Sequence, residues 1–146
     1  MLNKKIAVIG TSGLVTAWTV ASDTAGNKVW NAGAVGTLGI RAEATFDGAT
    51  TMNGAKLKLQ VSRRDDGASD AADPRWTDLA LYNVASTGAP SAAVEWTITA
   101  SAGNTVGLDL FCSEGHRGRA YFRVLMKKSG GGDGTGTDAV NVWAIG

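Results

Sequence analysis

The stretch Thr37-Leu-Gly-Ile-Arg-Ala-Glu-Ala-Thr-Phe46 alternates without a break. Leu38, Ile40, Ala42, Ala44 and Phe46 fall on one side, and Arg41, Glu43 and Thr45 on the other. A period of two is that of a strand with one face buried and the other wet. Asp47-Gly48 opens a turn that runs to Asn53-Gly54. Lys56-Leu-Lys-Leu-Gln-Val-Ser62 then alternates again, with Leu57, Leu59 and Val61 inward. The two segments read as an antiparallel hairpin or as close neighbours in one sheet.

The same period continues toward the C-terminus. Trp76 to Tyr82 reads as a short strand, and Val94, Trp96 and Ile98 share a face in the next. Val106 to Phe111 follows. Arg119 to Lys128 is the longest segment, with Ala120, Phe122, Val124 and Met126 opposed to Arg119, Tyr121, Arg123 and Lys127. Val140 to Ile145 is the last strand, after a glycine-rich hairpin tip at Gly130–Gly136. No window fits an amphipathic helix of more than about two turns. Short strands at turn-punctuated spacing predict an all-β fold: an antiparallel β-sandwich, or barrel-like sandwich, of about seven to eight short strands. Residues 36–146 form the sandwich domain in this reading. Residues 1–35, with short apolar runs at Ile6–Ile9 and Val15–Val20, form an N-terminal arm or accessory strands.

Composition agrees. The chain has 146 residues, enough for one domain that buries roughly 68–70% of its unfolded surface. Glycine is abundant at 20 residues, and only 18% of residues are charged. Strong helix formers do not occur in long runs. A net charge of +1 gives no global attraction to nucleic acid. The single cysteine, Cys112, excludes an internal disulfide framework. No stretch reaches the ~18 apolar residues of a membrane helix. The first 25 residues share features with a secretory signal, lysines followed by an apolar run, but Gly10-Thr-Ser-Gly13 interrupts that run.

Four stretches suggest chemistry. Lys4-Lys-Ile-Ala-Val-Ile-Gly-Thr-Ser-Gly13 looks like the strand and glycine turn of a dinucleotide site. That site needs a helix at the turn, and Val15-Thr-Ala-Trp-Thr-Val20 favours a strand, so no cofactor is expected. Cys112 and His116 stand five residues apart, inclusive, as a nucleophile and base would, yet Ser-Glu-Gly-His-Arg-Gly-Arg119 reads as a polar turn. One cysteine and one histidine also fall short of a zinc site. The loop Arg63–Asp73 carries aspartates that suit calcium, but without EF-hand spacing, and Arg–Asp pairing is the preferred reading. Arg117, Arg119, Arg123 and Tyr121 could form a basic aromatic patch, which suits a protein interface better than nucleic acid at this net charge. Of five tryptophans, Trp18 and Trp30 are the candidates for contact with a partner; exposed tryptophans would also suit a sugar-binding module.

Several segments together resemble the small β-sandwich structural proteins of tailed bacteriophages. They are GTLGIRAEATFDGA, GAKLKLQVSRRDDG, Arg75-Trp-Thr-Asp-Leu79 and the late strand RGRAYFRVLM. Gln60, Ser62, Asp66, Gly67, Trp76, Asp78, Leu79 and Arg123 stand where that pattern has its recurrent residues, and the similarity covers roughly residues 36–146. The resemblance implies a non-enzymatic virion component, most often a head decoration or cement protein assembled in the host cytoplasm. Its implied partners are the major capsid protein and further copies of itself, as a homo-oligomer on the particle, with no nucleic acid and no membrane. Tail and fibre modules share the same sandwich, and a carbohydrate-binding module on a tail or fibre is the alternative expectation. The expected contact residues are Ile6, Val8, Ile9, Trp18 and Trp30 in the arm and Arg63, Arg64, Asp65, Asp66, Asp70 and Asp73 in the loop. No catalytic residue, metal or cofactor is expected.

Overall fold

The computed structural model describes residues 3–10, 14–31, 38–45, 54–84, 92–99, 104–112, 121–129 and 139–145. It is all-β, with eleven strands and no helix among these residues. They are β1 (Asn3–Gly10), β2 (Thr19–Val20), β3 (Trp30–Asn31), β4 (Leu38–Thr45), β5 (Gly54–Ser62), β6 (Thr77–Leu79), β7 (Tyr82–Asn83), β8 (Trp96–Thr99), β9 (Thr105–Cys112), β10 (Tyr121–Lys128) and β11 (Ala139–Ile145). Two antiparallel sheets pack face to face as a β-sandwich. The first has the order β1-β11-β4-β9-β7. The second has the order β2-β10-β5-β6, with β3 also on β10 and β8 also on β5.

The alternation that defines the strands also builds the core. Ile40, Ala42 and Ala44 of β4, Val140 and Val142 of β11, and Leu110 and Cys112 of β9 line the inner face of the first sheet. Leu57, Leu59 and Val61 of β5 meet them from the second, with Phe122, Val124 and Met126 of β10 and Ile98 of β8. The register pairs Phe122 with Val61, Val124 with Leu59 and Met126 with Leu57, so large apolar side chains stand opposite one another.

The strand count exceeds the expected seven or eight because β2, β3 and β7 are two residues long and β6 is three. Such short strands carry no readable period. Segment 1–35 contributes β1 to the first sheet, on β11, and β2 and β3 to the second, both on β10.

The stretch read as one strand from Trp76 to Tyr82 is two. Thr77–Leu79 pairs with β5 in the second sheet, and Tyr82–Asn83 pairs with β9 in the first. Leu81 is fully buried at the crossing and exchanges two backbone hydrogen bonds with Ala93, at 2.9 and 3.0 Å. Leu79 and Leu81 are both buried, so the period of two runs through the switch and hides it from the sequence.

Candidate functional site

β5 ends at Ser62, and the chain re-enters the same sheet at Thr77. The fourteen residues between, 63–76, fold over the outer face of the second sheet, and Arg123 holds them there. Arg123 sits in β10 opposite Gln60 of β5, and Gln60 sits opposite Asp78 of β6. This row is hydrogen-bonded from end to end. Arg123 Nε donates to Gln60 Oε1 at 2.9 Å, and Gln60 Nε2 donates to Asp78 Oδ1 at 2.7 Å. Lys58 Nζ lies 3.2 Å from Asp78 Oδ1.

The far end of the guanidinium gathers the loop. Arg123 Nη1 donates to the carbonyls of Gly67, Ala68 and Asp70 at 3.1, 2.9 and 2.9 Å. The Trp76 ring lies beside it, 4.6 Å from Cζ to the ring centroid, and Trp76 Nε1 donates to the Asp66 carbonyl at 2.9 Å. Arg123 is therefore 0% exposed, although its alternation places it on the face opposite the core. This corrects its expected place in a surface basic patch. Burial pulls the guanidinium below its ordinary value, and the charges of Asp73, Asp70 and Asp78 oppose that shift. A charge taken out of water costs several kcal/mol unless it is paired and hydrogen-bonded. The carbonyls and Gln60 supply that compensation at Nη1 and Nε and the Trp76 ring lies beside the group, while Nη2 is buried without a hydrogen-bond partner.

The loop is a chain of short turns. Asp70 N–H donates to the Gly67 carbonyl at 3.1 Å, Asp73 N–H to that of Asp70 at 3.1 Å, and Trp76 N–H to that of Asp73 at 3.2 Å. Asp70 and Asp73 each accept a further backbone N–H two residues on, from Ala72 and Arg75, at 2.9 Å. Aspartate favours such turns because its short carboxylate reaches its own backbone. Gly67 has φ +67°, and a Cβ there would overlap the Asp73 carboxylate. Arg75 grips that carboxylate through Nε and Nη2. Its side-chain hydrogen bonds, with help from its backbone N–H, lower the Asp73 carboxyl from 3.8 to about 2. Asp66 pairs with Arg64 at 2.6 Å and with Arg75 at 3.5 Å.

Asp66 and Asp73 thus pair with arginines, and the Asp70 carboxylate caps its own turn. Among the described residues no group of three His, Cys, Asp or Glu side chains is arranged to hold a metal ion. Arg63, Arg64, Asp65 and Asp70 remain exposed on the clamped loop, whereas Asp66 and Asp73 are occupied within it. In the N-terminal segment, Val8 and Ile9 pair with Asn141 and Val140, and Ile6 lies at an irregularity between Lys5 and Ala7. The side chains of Ile6, Val8 and Ile9 lie outside the described residues. Trp30 packs in the core against Phe122, with ring centroids 5.9 Å apart. Trp18 is half-buried, with Lys127 Nζ at 4.7 Å and Lys58 Nζ at 4.9 Å from its ring. Cys112 is buried in the core at 2% exposure. His116, Arg117, Arg119 and the Gly130–Gly136 stretch lie outside the described residues.

On the other outer face, Arg41 bridges Glu43 at 2.9 Å and Asp109 at 2.6 Å. These hydrogen bonds, first Asp109 and then Glu43, raise the Arg41 pKa. Arg41 lies across Gly107, where a Cβ would come 2.7 Å from its Nη2.

No protein-family model matches the chain, and neither a curated protein nor a solved structure matches it.

Proposed function

We propose that the protein is a non-enzymatic structural component of a tailed-bacteriophage virion, a head decoration or cement protein that docks on the capsid lattice. One observation carries the reading. The eight residues of the phage-like pattern are scattered from 60 to 123 in sequence, yet seven of them meet in the loop clamp. Gln60, Asp78, Gly67, Asp66 and Trp76 are joined to Arg123 directly or through one partner. Ser62 Oγ accepts the Arg64 N–H at 3.2 Å at the loop's first turn. The eighth, Leu79, lies in the core beneath.

A rigid, charged loop on a sandwich suits mechanical work. A clamped loop loses little conformational entropy on docking, so more of each contact's free energy goes into attachment. Exposed Arg63, Arg64, Asp65 and Asp70 supply the polar contacts, and many copies on one particle multiply weak ones. Each contact made only in the assembled state shifts the balance toward it.

Quantitative mass spectrometry of purified particles tests this. A copy number near that of the shell protein is the expected result. A few copies per particle would move the protein to the tail or fibres, and absence from particles would refute the virion role.

A further inference from the structure

Loop 63–76 folds over one end of the second sheet's outer face, at Gln60 and Arg123. At the other end Trp18 lies against Lys58 and Lys127, whose Nζ atoms are 4.9 and 4.7 Å from its ring centroid. The register extends this contact into a row. Thr97 of β8 pairs with Lys56 of β5, and Lys56 pairs with Lys127 of β10. Trp18 continues the row, one residue before Thr19, the β2 partner of Met126. Leu57 and Met126 point into the core, so Lys56 and Lys127 point outward, side by side. Trp18, Lys56 and Lys127 are half-buried and Thr97 is exposed. Val15, whose carbonyl accepts the Lys128 N–H at 3.0 Å, is 48% exposed.

The lysine pair is the odd feature. Like charges directly opposite each other in a sheet are destabilising, so the fold gains nothing from it. Lys58 is ion-paired, with Asp78 at 3.2 Å. Neither Lys56 nor Lys127 forms a salt bridge with a described carboxylate. Cβ atoms at such opposed positions are about 4.5–5.5 Å apart, so both ammoniums can reach one anionic group or two adjacent ones. The Trp18 ring and the exposed Val15 add apolar contact beside them. A tryptophan next to charged groups is the make-up of an anchor in a protein interface.

We propose that Trp18, Lys56, Thr97 and Lys127 form a docking patch for an acidic, partly apolar segment of a partner protein. Carboxylates of the segment lie between the two ammoniums, the Thr97 hydroxyl donates to them, and an apolar side chain packs on Trp18 and Val15. Nucleic acid is the poorer match. Its affinity is built from several phosphates in succession, whereas this patch has two lysines, with Asp78 on Lys58 and the exposed Glu95 just before β8. A stacked base would also compete with the two ammoniums for the Trp18 ring. The inference stands apart from the virion reading, since it concerns the isolated chain.

The test is titration of the isotope-labelled full chain with the peptide Glu-Glu-Leu-Glu-Glu-Leu-Glu-Glu at low salt, followed by amide chemical shifts. Its glutamine version and octathymidylate are the comparisons. Shifts concentrate at Trp18, Lys56, Thr97 and Lys127, and Lys127→Gln and Lys56→Glu each weaken binding by about tenfold or more. Stability moves the other way. Lys56→Glu turns a like-charge pair into an opposite-charge pair, so the melting temperature holds or rises. Asp47, Asp133 and Asp138, in the connections next to this end of β5 and β10, lie outside the described residues. If one of them already neutralised the lysines, Lys56→Glu would lower the melting temperature, and that result would overturn the proposal. Absent or scattered shifts, equal binding of the glutamine version, octathymidylate binding as tightly as the acidic peptide, or unchanged binding by Lys56→Glu would each overturn it too.

Discussion

The guanidinium carbon of Arg123 lies 4.6 Å from the centre of the Trp76 ring, and both residues are buried on the face of the sheet that turns away from the core. Forty-seven positions apart in sequence, they fasten loop 63–76 to the sandwich. Arg123→Ala would strand the carbonyls of Gly67, Ala68 and Asp70 and open a void under Trp76. The expected loss is about 3–5 kcal/mol, from buried acceptors left without a donor at about 1–3 kcal/mol each and from the void. Urea denaturation measures it. A loss below about 1 kcal/mol would mean that the clamp is not holding the loop.

Arg41 offers the opposite case. Its side chain is 39% exposed and its partners Glu43 and Asp109 are 31% and 42% exposed. Exposed pairs contribute about 0.2–1 kcal/mol each and are screened by salt. Arg41→Met is therefore expected to cost little and to cost less in high salt. Stability curves at low and high ionic strength check this.

Two glycines with positive φ make a matched experiment. Gly26 has φ +85° and open space where a Cβ would be, whereas Gly67 has φ +67° and the Asp73 carboxylate in that space. Gly26→Ala bears only the left-handed backbone cost, about 1–2 kcal/mol. Gly67→Ala adds a steric clash and breaks the Asp73–Arg75 contact, so it is expected to cost clearly more. Equal losses in thermal melts would contradict the packing of the loop.

Asp73 predicts an acid-sensitive loop. Its carboxyl falls from 3.8 to about 2 in the folded protein, chiefly through the Arg75 side-chain hydrogen bonds. Between these values the unfolded chain binds the proton more readily than the folded one. The contribution is thus complete above about pH 4 and is lost as pH falls toward 2. Asp73→Asn should flatten this part of the stability profile. A parallel profile for wild type and variant would show that another group governs it.

The sandwich was legible because β4, β5, β10 and β11 alternate cleanly, and Ile40, Leu57, Leu59, Val61, Phe122 and Val124 are buried as that period requires. The sheet switch at Leu81 was not, since a buried residue every second position looks the same on either sheet. Arg123 was misplaced for a related reason. Period two assigns a face, and an outward face is wet only if nothing folds over it. The signals for that cover were present but non-local: an arginine among apolar residues of β10, a glutamine able to bond it from the neighbouring strand, and a fourteen-residue loop ending in Trp76. Trp30, read as a partner contact, sits in a two-residue strand whose burial comes from β10 rather than from any local pattern.

Hydrogen exchange of the loop amides tests the clamp most directly. In the wild type, the amides of Asp70, Asp73 and Trp76 should be protected, because each donates within the loop. In Arg123→Met they should exchange orders of magnitude faster, while β4 and β9 keep their protection. Rapid exchange of these amides in the wild type, or equal protection in both proteins, would contradict an arginine-clamped loop.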